Sequence, residues 1–211
     1  MQSARESSPV IAIVDDDPSV REGLHCLIRS IGWRAETFPS AQEFLARRGS
    51  EAPSCLVLDL QLPGLSGLDL QKRMAEVALE IPIVFLTGHG NIPTSVQAMK
   101  AGAIEFLTKP VEEEDLLRAI REAIQTDRRI RQQHAEMHDL QSRYDTLTAR
   151  EREVTQQVIS GLLNKQVAAE LNITAFTVKI HRGQVMLKMH ADSLAHLVRM
   201  AEGLGIRSGG R

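Results

Sequence analysis

Five short apolar runs, each closed by turn or charged residues, constrain this chain most. They are VIAIV (10–14), AETF (35–38), CLVL (55–58), IVFL (83–86) and IEFL (104–107), and stretches of helical period separate them at 18–31, 40–47, 66–77, 92–101 and from 112 onward. Near-continuous apolar strands alternating with amphipathic helices require a parallel sheet covered on both faces. The expected fold is therefore α/β and doubly wound, with five parallel strands.

The remainder of the chain reads differently. From Glu112 the helical pattern runs without Gly or Pro to about Tyr144, with Ile130, Met137, Leu140 and Tyr144 as sparse apolar positions. This predicts a long exposed linker helix; pairing as a coiled coil would put Asp127 and His134 in the seam. A second compact region opens at LTARERE, where Thr148 and Glu151 have capping-box spacing. Gly161 should end that helix, Asn164 should cap KQVAAEL, and the turn NIT (172–174) leads into AFTVKIHRGQVMLKM. Four short helices with a tight turn between two of them form a helix-turn-helix arrangement. The expected partition is a disordered tail at 1–8, an α/β domain at 9–126, a helical linker at 127–144, a small all-α domain at 145–206 and a flexible tail at 207–211.

Charge follows the same division. Residues 1–126 carry a net −6 and residues 127–211 a net +4, with five of the seven histidines in the second part. An acidic module joined to a basic one suggests different partners, the second of them a polyanion. No apolar run reaches the ~18 residues of a membrane helix, and the polar start MQSARESS has no signal core, so a cytoplasmic protein with no membrane partner is expected. Cys26 and Cys55 lie far apart among apolar neighbours and read as buried hydrophobes in a reducing compartment.

The polar residues at the strand ends carry the chemistry. VIAIV runs directly into Asp15, Asp16 and Asp17; Asp59 follows the third strand, Thr87 the fourth and Lys109 the fifth. In an open parallel sheet these ends share one edge, where ligands bind at the reversal of strand order. Several carboxylates, one hydroxyl and one ammonium thus converge on one crevice. Oxygen ligands without His or Cys suit Mg²⁺, which would also relieve the repulsion among the carboxylates. Lys109 and a metal can neutralise a transferring phosphoryl group while Thr87 donates a hydrogen bond to it. Asp59, alone on a central strand, is the better nucleophile, and attack on phosphorus gives an acyl phosphate. Asp15 and Asp16 are paired as metal ligands, whereas Asp17 before Pro18 fits a helix N-cap.

VDDD (14–17), VLDLQLPGLSG (57–67), FLTGHG (85–90) and EFLTKP (105–110) resemble, in order and spacing, the receiver domain of two-component response regulators. LTAREREV, NKQVAAELNIT, TVKIHR and LVRMA resemble the LuxR-type helix-turn-helix, and together they resemble FixJ/NarL-type transcription regulators over about residues 9–204. The resemblance implies strand order 2-1-3-4-5 and a flavodoxin-like receiver. It implies that Asp59 accepts phosphate from a sensor histidine kinase, with Asp16, Asp59 and the Gln61 carbonyl binding Mg²⁺ (or Mn²⁺) and Asp15 acting through water. It further implies a cis Lys109–Pro110 peptide, Phe106 as a switch aromatic coupled to Thr87, and Gln61 and His89 flanking the phosphoryl site. Operator DNA, a homodimer on activation and RNA polymerase are the other implied partners. In the second module, Lys179, Ile180, His181 and Arg182 are expected to meet base edges, with Thr177 and Lys188 on phosphates. Val178 and Leu187 are expected in the core, and Phe176 is expected either to touch a thymine methyl or, the favoured reading, to pack on the preceding helix. Gly183 stands where relatives place a longer polar reader, and it weakens the helix by ~1 kcal/mol.

Two other classes compete. Asp15-x-Asp17 resembles the nucleophile motif of Mg²⁺-dependent haloacid-dehalogenase-type phosphatases, but Ser19 occupies the position where those enzymes need Thr or Val, and they lack a lone Asp59. A small-molecule-sensing regulator would need an aromatic-lined pocket, for which one Trp, one Tyr and five Phe offer little.

Overall fold

The structure, a computed structural model, describes residues 8–48, 51–88 and 92–206. The expected tails, apart from Ser8, and His89 lie outside these residues. Two compact units divide the chain, residues 1–131 and 132–211.

In the first unit β1 (Val10–Val14), β2 (Arg34–Phe38), β3 (Cys55–Leu58), β4 (Ile83–Thr87) and β5 (Glu105–Thr108) alternate with α1 (Pro18–Ser30), α2 (Ala41–Leu45), α3 (Gly67–Glu76) and α4 (Ile92–Lys100). All neighbouring strands pair in parallel, in the order β2-β1-β3-β4-β5. Side-chain alternation along the strands builds two cores. Ala12, Val14, Leu56, Leu58 and Phe85 meet Phe44, Leu70, Met74 and Ala98 on one face. Ile11, Ile13, Val57, Val84 and Leu86 meet Leu24, Ile28, Leu116 and Ile120 on the other. Because both faces are covered, the strands read as unbroken apolar runs. Against the expected spans, β2 starts one residue earlier, β4 ends one residue later and β5 is displaced by one residue at both ends. Among the helices α2 is shorter, the ends of α1, α3 and α4 each differ by one residue, and the helix expected from 112 begins at Glu113.

Local caps set the helix starts. Asp17 accepts from the Ser19 N–H at 2.8 Å with Pro18 in the first turn, and Ser66 accepts from the Asp69 N–H. The last helix to begin in this unit, α5 (Glu113–Asp145), is 33 residues long. Its Asp127 is buried, not solvated, and Arg131 Nε bonds both its carboxylate oxygens at 2.9 and 2.7 Å. Arg131 Nη2 also donates to the Ala52 carbonyl at 2.8 Å, which ties this stretch of α5 to the first compact unit.

The second unit contains α6 (Ala149–Ile159), α7 (Asn164–Leu171), α8 (Ala175–Lys188) and α9 (Leu194–Gly203) around two small apolar clusters. The Thr148–Glu151 capping box forms, and Gly161 follows α6 at φ +85°. Asn164 does not cap α7: Leu163 holds the N-cap position, and its N–H is taken by the Gln166 side chain. Asn164, already one residue inside the helix, instead accepts from Arg182 at 3.2 Å. The NIT turn places Asn172 in the left-handed region (φ 50°) and Thr174 as the N-cap of α8. Cys55 is buried but Cys26 is exposed, against expectation, because it lies on the outward face of α1.

Gly67, at the start of α3, has no room for a side chain: an added Cβ would lie 2.4 Å from the Asp59 carbonyl oxygen and 3.1 Å from Leu60 Cα. Both of those contacts are backbone and cannot swing away. Gly67→Ala should cost roughly 1–3 kcal/mol, read as a lower urea midpoint at unchanged slope by the fluorescence of the sole tryptophan, Trp33.

Candidate functional site

The expected constellation assembles at the carboxyl edge of the sheet. β1 delivers Asp15, β3 delivers Asp59, β4 delivers Thr87, and Lys109 follows β5. Asp15, Asp59 and Thr87 are buried, while Asp16 is exposed. One carboxylate oxygen from each of Asp15, Asp16 and Asp59 lies within 4.8 Å of the other two. Lys109 Nζ donates to Asp15 Oδ2 at 2.5 Å and to Asp59 Oδ2 at 3.1 Å, drawing the two buried acids together. Asp15 Oδ1 accepts from the Asp17 N–H at 3.0 Å, and Asp59 Oδ1 from the Gln61 N–H at 3.2 Å.

The electrostatics follow from burial. Desolvation pushes the Asp15 carboxyl above its ordinary value despite the Lys109 and Asp17 donors, and the Asp59 charge adds to the rise. Burial opposes the Lys109 charge too, yet its hydrogen bonds to Asp15 and Asp59, with their charges, hold the ammonium above its ordinary value. One ammonium facing three carboxylates leaves a net negative nest of hard oxygen donors. Such a nest fits a divalent cation.

Phe106 sits beside this edge. It is half-buried, pairs with Phe85 across β4 and β5, and its ring lies 6.0 Å from that of Phe85. The Lys109 N–H donates to the Thr87 carbonyl at 2.8 Å, and the Lys109–Pro110 peptide is cis. Two residues that motif reading passed over also serve the site. Arg21 donates to the Asp15 carbonyl at 2.7 Å, and Gly67 allows α3 to approach Asp59. The glycine was visible in PGLSG; Arg21 has no local signature.

In the second unit, Lys179 is exposed and Ile180 half-exposed on α8, while His181 and Arg182 are half-buried. The Thr177 hydroxyl lies 2.8 Å from that of Thr174, within the cap. Val178 is fully buried, as expected. Leu187 and Phe176 are not packed: they are 69% and 72% exposed, since the stripe of α8 they share faces away from α6 and α7. Lys188 is committed inside the unit. Its Nζ donates to Glu151 Oε2 at 2.6 Å and to the Thr146 carbonyl at 3.3 Å.

Comparison with known proteins matches both units. The family described as response regulator receiver domain covers residues 11–121, and the bacterial regulatory proteins of the luxR family cover residues 145–201. The chain belongs to the response regulators. It is 49% identical to nodulation protein W of Bradyrhizobium diazoefficiens over 197 residues, 93% of this chain and 87% of that protein. It is 47% identical to the response regulator protein TmoT of Ectopseudomonas mendocina over 203 residues, 96% of this chain and 92% of that one. Among solved structures, the response regulator StyR superposes with a TM-score of 0.80 at 49% identity, covering 93% of this chain and 99% of that chain. These two-component relatives and the LuxR-type unit make the protein a DNA-binding transcription regulator. The phosphatase and the small-molecule sensor weighed from sequence find no support. Among the described residues, no helix is long and apolar enough to cross a membrane.

The Lys188–Glu151 pair makes two predictions. Burial opposes the Glu151 charge, but the Lys188 ammonium and the Thr148 N–H outweigh it and hold the carboxyl below its ordinary 4.5. The unfolded chain therefore binds more protons as pH falls through and below 4.5, and the second unit loses stability there. Lys188→Met should destabilise it by roughly 1.5–3 kcal/mol at neutral pH and shrink that acid loss. Unfolding followed at Tyr144, the sole tyrosine, checks both.

Proposed function

We propose that a phosphoryl group on Asp59 controls binding of operator DNA by the second unit. The observation that carries this reading is the buried Asp59 carboxylate, held by Lys109 and the Gln61 N–H and facing Asp15 and Asp16. An Asp59 oxygen attacks the phosphorus of a phosphohistidine on a sensor histidine kinase. The P–N bond breaks and its electron pair returns to the imidazole, leaving an aspartyl phosphate. Lys109 neutralises charge on the transferred group, and Thr87 donates a hydrogen bond to it. Asp16, Asp59 and the Gln61 carbonyl would hold Mg²⁺, or Mn²⁺, with Asp15 acting through a water. When bound, the ion supplies neutralisation of the phosphoryl oxygens. Acceptance of phosphate and its slow self-hydrolysis are the whole chemistry of this reading, which makes the protein a switch and not an enzyme.

The switch runs from Thr87 to Phe106. As the Thr87 hydroxyl moves toward the phosphoryl group, the half-buried Phe106 ring turns inward and the surface around β5 changes shape, which favours a homodimer. Two copies then engage paired half-sites about one DNA turn apart, in the cytoplasm and near RNA polymerase. On α8, Lys179, Ile180, His181 and Arg182 face base edges and Thr177 stands near the phosphates. Lys188 is excluded from this set by its pairing with Glu151.

Incubation with a small phosphoryl donor and Mg²⁺ should add one phosphate per chain, seen as a single mass increment and absent from Asp59→Asn; equal labelling of that variant would refute the acceptor assignment. DNA affinity should fall steeply with salt. Lys179→Ala should lower the slope of log K against log salt by about 1 if it meets a phosphate, and change base preference if it reads an edge. Lys188→Met should leave the slope unaltered.

A further inference from the structure

A second group of metal-ligating side chains lies on α1, apart from the acidic nest. Glu22, His25 and Cys26 each bring one ligand atom to within 4.8 Å of the others. The spacing is i, i+3, i+4, which stacks residues on one face of a helix. Leu24 and Ile28 take the buried side of α1, so this trio faces outward: Glu22 and Cys26 are exposed and His25 is half-buried. Cys26 Sγ lies 3.5 Å from Glu22 Oε1, the contact of a weak thiol donor with a carboxylate. The neighbouring Arg21 is occupied with the Asp15 carbonyl.

The donor set decides which ion fits. The strand-tip nest offers only hard oxygen, the preference of Mg²⁺, which is a poor partner for thiolate. A carboxylate, an imidazole and a thiolate together suit borderline ions of the zinc class. On coordination the Cys26 thiol releases its proton to solvent, and thiolate and carboxylate then balance a 2+ charge. Three protein ligands leave one position of a tetrahedron for water. We propose that Glu22, His25 and Cys26 form a surface site for a zinc-class divalent ion, chemically separate from the phosphoacceptor nest on the same chain.

Cobalt serves as the probe, because thiolate-to-cobalt charge transfer absorbs in the near ultraviolet and all-oxygen sites lack that band. Full-length protein, freed of metal by chelator and held in excess Mg²⁺, is titrated with Co²⁺. The band should rise to one equivalent and collapse on addition of Zn²⁺. Cys26→Ser should abolish it, and His25→Ala and Glu22→Gln should each weaken cobalt binding at least tenfold. Asp59→Asn should leave the titration unchanged, which separates this site from the other. Zn²⁺ should also slow alkylation of Cys26 at least tenfold, while Cys55, fully buried, reacts in neither state. No band, a band that survives Cys26→Ser, or equal binding by the His25 and Glu22 variants would overturn the proposal.

Discussion

The Lys109 ammonium holding Asp15 and Asp59 together is the interaction on which the rest of the molecule depends. Burying two carboxylates side by side costs several kcal/mol for each ion unless a cation and hydrogen-bond donors compensate. Lys109 provides the charge and the Asp17 and Gln61 N–H groups provide the donors. Compensation is incomplete, since one cation meets three acids. The residual negative charge leaves the crevice a set of hard oxygen donors that fits a divalent cation.

That arrangement needs the parallel sheet. Only when β1, β3, β4 and β5 run in one direction do Asp15, Asp59, Thr87 and Lys109 arrive at a single edge. The helices must then pack closely against the strands behind them. Gly67 shows how close, with α3 pressed so near the backbone of Asp59 that a methyl group would collide. Packing of the two faces and geometry of the site are thus one constraint.

The second unit solves a smaller problem with polar staples. Its apolar clusters are short, and its helix starts are secured by Thr148 with Glu151, Leu163 with Gln166 and Thr174 with Thr177. Lys188 ties the end of α8 back to the start of α6. Cationic side chains on α8 therefore divide by environment: Lys188 is committed to the fold, and Lys179 is exposed to solvent. Positive charge counted along the sequence does not reveal that division.

What the sequence by itself determined is local or periodic. Apolar runs and their spacing specify strands and helices, Asp17, Thr148 and Gly161 announce helix ends, and acids or bases after strands mark the ligand edge. These signals work because a cap, a turn or an amphipathic face is written within a few residues of itself. Tertiary structure alone decided that Cys26 is exposed while Cys55 is buried, that Leu187 and Phe176 lie outside the core, that Asn164 bonds Arg182, and that Arg21 braces Asp15. The burial of Asp127 under Arg131 belongs with these. Most of these depend on which helix face a distant segment covers, as Arg131 reaches Ala52 from 79 positions away and Arg182 reaches Asn164 from 18. Even the short Arg21–Asp15 contact exists only because the packed sheet and α1 fix the turn between them, so no short pattern in the chain can record them.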